Sequence, residues 1–162
     1  MEYMTLNLEQ IRFLFDHDTV GFRASGVLYI EIGGICFPDE QWYDLVSVDF
    51  EMWMPQLMSF GFGHSDCCLL QFMDGPCCIK LLRQSQGKVI ATCLWNHKVE
   101  ISEVEIDFLS FIKSVAACIK KMNRAIYEAD REGKWGHIME RYGNFIKQIK
   151  EMVKRDTDCE PV

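Results

Sequence analysis

The feature that most constrains this chain is a series of short, glycine-bearing links between segments rich in strand-forming residues. Val27-Leu28-Tyr29-Ile30-Glu31-Ile32 meets Ile35-Cys36-Phe37 across Gly33-Gly34. Cys67-Cys68-Leu69-Leu70-Gln71-Phe72-Met73 meets Cys77-Cys78-Ile79-Lys80-Leu81-Leu82 across Asp74-Gly75-Pro76, and Gln86-Gly87 precedes Lys88-Val89-Ile90-Ala91-Thr92-Cys93-Leu94-Trp95. Links this short join antiparallel neighbours, because a parallel crossover needs about a dozen residues or more. Residues 96–101 extend the meander as a further strand and carry His97 toward solvent. Upstream, Ile11, Phe13 and Phe15 alternate with Arg12 and Leu14, so residues 8–32 read as strand-rich.

Between the hairpins the hydrophobic period changes to that of a helix. Pro38 ends a strand, and Asp39 is placed as the N-cap of a helix running to about Leu57. Trp42, Val46, Phe50, Trp53 and Leu57 then share one face, and Glu40, Asp44, Ser47 and Glu51 the opposite one. Pro55 is expected to kink or end this helix. Ser102 with Glu105 reads as a capping box opening a long helix whose apolar face is Phe108, Ile112, Val115, Ile119, Met122 and Ile126. After Gly133-Lys134, the positions Trp135, Ile138, Met139, Tyr142, Phe145, Ile146, Ile149, Met152 and Val153 predict a second helix packed antiparallel on the first.

The architecture expected is therefore α+β. It comprises an antiparallel sheet of five to seven strands with an inserted helix, 39–57, and a C-terminal pair of long antiparallel helices. A single domain over 1–162 accommodates it: sheet and helix in 1–101, a helical hairpin in 102–155 and a flexible tail in 156–162. A chain of 162 residues, 49% hydrophobic, can bury a core of its own. Charges interrupt every apolar stretch well short of about 18 residues, so no membrane span is expected. The opening Met-Glu-Tyr-Met-Thr-Leu-Asn lacks the basic flank and apolar run of a signal peptide, which points to the cytoplasm.

Charge is distributed unevenly. From Ala24 to Ile79 there is no Lys or Arg, against eight acidic residues: Glu31, Asp39, Glu40, Asp44, Asp49, Glu51, Asp66 and Asp74. From Glu103 to Arg155 eleven basic residues face eight acidic ones. With a net charge of −7, direct nucleic-acid or anionic-membrane binding is disfavoured, and a basic partner is electrostatically easier.

Eight cysteines raise the question of zinc or disulfides. Pairing across Asp74-Gly75 sets Cys77 and Cys78 opposite Phe72 and Gln71, and Cys67 and Cys68 opposite Leu82 and Leu81, so no cysteine in that hairpin faces another. Vicinal Cys-Cys pairs also point to opposite faces of a strand, which does not suit one tetrahedral site. Reduced thiols, no metal and no cofactor are expected. His64-Ser65-Asp66-Cys67 brings a base, an acid and a thiol together in sequence, which makes Cys67 or Cys68 with His64 a candidate nucleophilic pair. Short polar clusters after glycine-rich loops are more often turn chemistry, and His17, His97 and His137 read as surface residues. The P-loop, dinucleotide, nucleophile-elbow and zinc-protease signatures are absent.

Phe37-Pro38-Asp39-Glu40-Gln41-Trp42-Tyr43-Asp44, the later Trp53, and Phe72-Met73-Asp74-Gly75-Pro76 together resemble segments of small bacterial immunity proteins that partner polymorphic or contact-dependent growth inhibition toxins. The likeness spans roughly residues 27–82, and the Cys-Cys after Asp-Gly-Pro departs from it. It implies a cytoplasmic, non-catalytic protein that neutralises a cognate toxin domain by stoichiometric occlusion. An acidic inhibitor suits a basic toxin, a nuclease being the case that the charge fits best. The expected contact residues are Glu40, Asp44, Glu51 and Asp74. A small cysteine-dependent enzyme, or a non-catalytic adaptor module, is the alternative.

Overall fold

The computed structural model describes residues 1–14 and 22–158. Phe15, His17, Cys159 and the end of the expected tail lie outside these residues. Two four-stranded antiparallel sheets and three helices form an α+β fold. In the first sheet β2 (Ala24–Ile32) is central, with β1 (Met4–Phe13) along one side and β3 (Ile35–Phe37) and β4 (Tyr43–Asp44) sharing the other. The second is the meander β5 (Cys67–Gln71), β6 (Cys77–Arg83), β7 (Val89–Trp95), β8 (Lys98–Ile106).

The expected single sheet of five to seven strands is thus replaced by eight strands in two sheets. Helix α1 (Val46–Gly61) carries the chain from one sheet to the other rather than interrupting one. A parallel bridge between Glu2 and Ile106 joins them at one corner, where Glu2 N donates to Glu105 O at 2.8 Å. The hairpins form as the turn chemistry requires: Gly33 and Gly34 have φ of 56° and 79°, a conformation that glycine adopts without strain. Cys67 pairs with Leu82, Cys68 with Leu81 and Gln71 with Cys78, as the turn position dictates. The seven described cysteines are free thiols.

Two helix starts differ from expectation. Residues 39–45 are not helical, because Tyr43 and Asp44 pair with Val27 and Gly26 and Leu28 N donates to Trp42 O, so tertiary strand pairing overrides local propensity. Asp39 instead closes a local turn, accepting from Gln41 N at 2.8 Å. Pro55 sits inside α1 without ending it: its ring is exposed, while Phe50, Trp53, Leu57 and Phe60 bury the opposite side. The capping box at Ser102 does not form. β8 continues to Ile106 against β7, and α2 (Phe108–Ala129) is capped by Asp107, which accepts from Ser110 N at 3.1 Å. Helix α3 (Gly136–Asp158) runs into the segment expected to be tail. The start of α2 and the end of α3 both meet Gly61, through Phe108 and Met152, so the pair is antiparallel.

At each sheet a helix reaches an outer edge with side-chain hydrogen bonds. On β1, Leu6 N donates to Ser114 Oγ at 2.9 Å, while Cys118 Sγ and Lys121 Nζ reach Leu6 O and Leu8 O at 3.3 and 2.5 Å. These α2 residues, spaced four and three apart, form one stripe of the helix. At the end of β5, Trp53 Nε1 donates to Gln71 O at 2.7 Å, and just beyond the strand Asp49 Oδ1 accepts from Met73 N at 2.8 Å, again from one helix stripe. Each such bond occupies an edge group that could otherwise pair with another strand. Between the sheets Trp53, Phe72 and Phe37 stack edge to face, with ring centroids 5.1 and 6.2 Å apart. Among the described residues no helix is long and apolar enough to cross a membrane.

Candidate functional site

The expected contact carboxylates separate into two pairs. Glu40 and Asp74 are exposed, on the loop after β3 and on the β5–β6 turn. Asp44 is fully buried, a correction that follows directly from the loss of the helical turn in which it had an outward position. Glu51 keeps its helical phase but turns to α3, where it pairs with Arg141. Asp44 is thus structural and cannot join Glu40 and Asp74 on a docking face, while Glu51 stays partly exposed beside Arg141.

Asp44 and the neighbouring Asp49 hold the Asp74-Gly75 turn from below. Asp44 accepts from Leu45 N at 2.7 Å, Asp74 N at 3.0 Å and Trp42 Nε1 at 2.9 Å, while Asp49 takes Met73 N. Among the described residues the second oxygen of Asp49 is buried without a hydrogen-bond partner. Burial, then repulsion from Asp44, pushes the Asp49 carboxyl up to about 8, so it carries its proton at neutral pH. Burial raises Asp44 as well, against the hydrogen bonds from Trp42 and Leu45 that lower it.

Trp42 ties three loops together above this pair. Its ring lies so close to Gly75 that a Cβ there would meet Cη2 and Cζ2 at 2.8 Å, and it stands edge to face with Trp95, centroids 5.5 Å apart. The loop carrying Asp39 and Glu40, the Asp74-Gly75-Pro76 turn and the β7–β8 turn therefore converge at one end of the molecule. Asn96 and His97 form that last turn with φ of 49° and 64°, which is unusual for non-glycine residues.

From this end the acidic surface continues over the outward face of the first sheet. Strand alternation places Met4, Leu6, Leu8, Leu28, Ile30 and Ile32 inside, and Thr5, Asn7, Glu9, Tyr29, Glu31 and Cys36 on the other side. Glu31, Glu40 and Asp39 all act on the Cys36 thiol, which burial and then these charges raise. Tyr29 is raised likewise by burial, and then by Glu9, Cys36, Glu31 and Glu40. Glu9, Glu31, Asp39, Glu40, Asp74 and Glu100 are exposed and form no ion pair among the described residues. Exposed Tyr43, Ile35, Trp95 and Val99 add apolar area beside them. The sequence reading missed Glu9, Glu31, Glu100 and Trp95; the outward position of Glu31 follows from the period of β2, and Trp95 is flagged only by its place beside a turn.

Of the two candidate thiols, Cys67 is exposed and Cys68 is not. His64 is exposed beside Phe62, with ring centroids 6.4 Å apart. Cys68 is buried and its thiol is pushed up to about 12 by burial and then by Cys67, the opposite of an activated nucleophile. Ser65 Oγ is engaged with the backbone of Cys67, donating to its carbonyl at 2.7 Å. Among the described residues no three His, Cys, Asp or Glu side chains are grouped to hold a metal ion. A scan against protein-family models finds no matching family, and searches of curated proteins and of solved structures find no match.

Proposed function

We propose that this chain is a cytoplasmic immunity protein that binds a basic toxin domain, a nuclease being the best electrostatic fit, and neutralises it by stoichiometric occlusion. The observation that carries this reading is a set of exposed carboxylates without ion pairs among the described residues, Glu9, Glu31 and Glu40 around partly exposed Tyr29, with Asp39 and Asp74 on the adjoining loops. Exposed carboxylates without an ion pair stabilise the fold little. Gathered on one face, they raise the rate of encounter with a cationic surface, and aromatic neighbours supply contact area that slows dissociation. The likeness of the Phe37–Asp44 and Phe72–Pro76 segments to immunity proteins adds weight, because these segments meet through Trp42 and Gly75 at the edge of that face. Such a protein needs no catalytic group.

Co-expression with a toxin domain encoded beside the gene tests the proposal. The native chain is expected to restore growth and to bind the domain in a one-to-one complex. Replacing Glu31, Glu40 and Asp74 together with Lys is expected to slow association about tenfold or more at low salt and to leave the melting temperature nearly unchanged. Failure to protect, or a triple variant with native affinity and native salt dependence, refutes it.

A further inference from the structure

The gap between the two sheets opens at the same end of the molecule. A groove of about 280 Å³ runs between the outer edge of β3 and the β7–β8 hairpin, lined by Ile35, Cys36, Phe37, Pro38, Trp95, Glu100 and Ile101. We infer that this groove is the anchoring slot for one arginine side chain of a basic protein partner, its stem lying along Ile35 and Pro38 and its guanidinium held by the Trp95 ring and the Glu100 carboxylate. The inference rests on the partner chemistry proposed above and adds where that partner is gripped.

Size, lining and charge each point this way. The volume falls just under the roughly 300–1,000 Å³ of sites that enclose a whole small molecule, which suits a single side chain. The walls are apolar and aromatic, with Ile35 56% and Trp95 37% exposed, and Trp95 is held in place by its contact with Trp42. Among the described residues no Lys or Arg lines the groove, and its one charged lining residue, Glu100, is free of ion pairs. Cys36, which also lines the groove and shares the outward face of the first sheet with Glu31, lies within the field of Glu31, Glu40 and Asp39. A cation is therefore favoured at the mouth, while aromatic and carboxylate groups together favour the flat, forked guanidinium over a lysine ammonium.

The probe is a capped pentapeptide, Lys-Gly-Arg-Gly-Lys, titrated into the full isotope-labelled chain and followed by NMR at backbone amides and tryptophan indoles. The expected result is a saturable shift at the Trp95 indole and at residues 35–37 and 100. It should weaken about tenfold when lysine replaces the arginine, and vanish when the neutral isostere citrulline does. Trp95→Ala and Glu100→Gln, both at exposed positions, should each abolish the shift in chains with native spectra elsewhere. Equal shifts with citrulline, shifts that map to another surface, or no shift overturn the inference. Binding to the neighbouring toxin domain separates the two claims. Trp95→Ala with native toxin affinity removes the slot and leaves the immunity reading intact. Peptide binding at the groove without any toxin binding keeps the slot and removes that reading.

Discussion

Replacing Asp49 with Asn should change the pH dependence of stability more than any other single substitution in this structure. Asp49 is ordinary in the unfolded chain, near 3.8, and is pushed up to about 8 when folded, chiefly by burial and then by Asp44. Between those values the folded state holds a proton that the unfolded state has released. Stability is therefore full below about pH 4, falls as pH rises, and levels off above the folded value. Each pH unit in that window removes about 1.4 kcal/mol, so the interval from pH 5 to 7 removes about 2.7 kcal/mol, or roughly 5–10 °C in melting temperature. Asp44, also raised by burial, acts in the same direction. Asp107 acts oppositely: hydrogen bonds from Ser110 and Leu109 overcome its burial and hold it below the usual range, but its contribution is lost only at pH values below this window. Asparagine keeps an oxygen for Met73 N–H and cannot ionise. Asp49→Asn should flatten the slope and, at pH 7, exceed the native chain by on the order of 4 kcal/mol. Thermal and urea unfolding at pH 5, 6, 7 and 8 would measure both effects. A native chain whose stability rises from pH 5 to 7, or a variant that keeps the native slope, would refute the argument.

Three further outcomes can be checked by the same unfolding measurements. Gly75→Ala drives a methyl into the Trp42 ring at 2.8 Å, a rigid neighbour, and should cost about 1–3 kcal/mol while shifting the Trp95 indole resonance. His97→Gly relieves a left-handed backbone at a two-residue hairpin turn and should stabilise the chain by about 0.5–1 kcal/mol; a loss would mean that the turn is held by something other than its φ angles. Glu51→Lys breaks a pair with Arg141 in which both side chains are substantially exposed, 38% and 53%, so it should cost no more than about 1 kcal/mol and leave toxin affinity at its native value.

The parts of the fold that were legible in the sequence are those set by local chemistry. Turn residues fixed the hairpins and their register, and the helical period of Ile112, Val115, Ile119, Met122 and Ile126 marked a face that is buried along its length. What was not legible depends on distant partners. The helical wheel that grouped Asp44 with Glu40 and Glu51 has no meaning over residues 39–45, because β2 recruits Tyr43 and Asp44 into a sheet. The same pairing takes Trp42 out of a helix core and sets it between Gly75 and Trp95. Ser102 and Glu105 form a sound capping pattern, yet Glu105 pairs with Ile90 across the sheet and with Lys88 through its side chain. Glu9 and Glu100 lie outside the cation-free stretch and drew no attention there, but the folded chain brings them beside it.

The eight carboxylates between Ala24 and Ile79 therefore do not act as one acidic patch. Asp49 is protonated at neutral pH and contributes almost no field, and Asp44 is screened inside a cage of donors. Glu51 faces Arg141 and the exposed Asp66 lies 4.0 Å from Arg83, which leaves Glu31, Asp39, Glu40 and Asp74 as the outward carboxylates with no ion pair among the described residues. Association with a cationic partner depends on long-range potential, which salt screens within about 8–10 Å, whereas the buried pair acts through hydrogen bonds that salt hardly touches. The two groups should separate experimentally. Neutralising Glu31 and Glu40 should lower the association rate and its salt dependence without a change in stability, while neutralising Asp49 should shift stability with pH and leave the salt dependence of association as it was. If Asp49→Asn altered association as strongly as the surface changes do, the buried pair would belong to the binding field, and the division of labour drawn from burial and hydrogen bonding would be wrong.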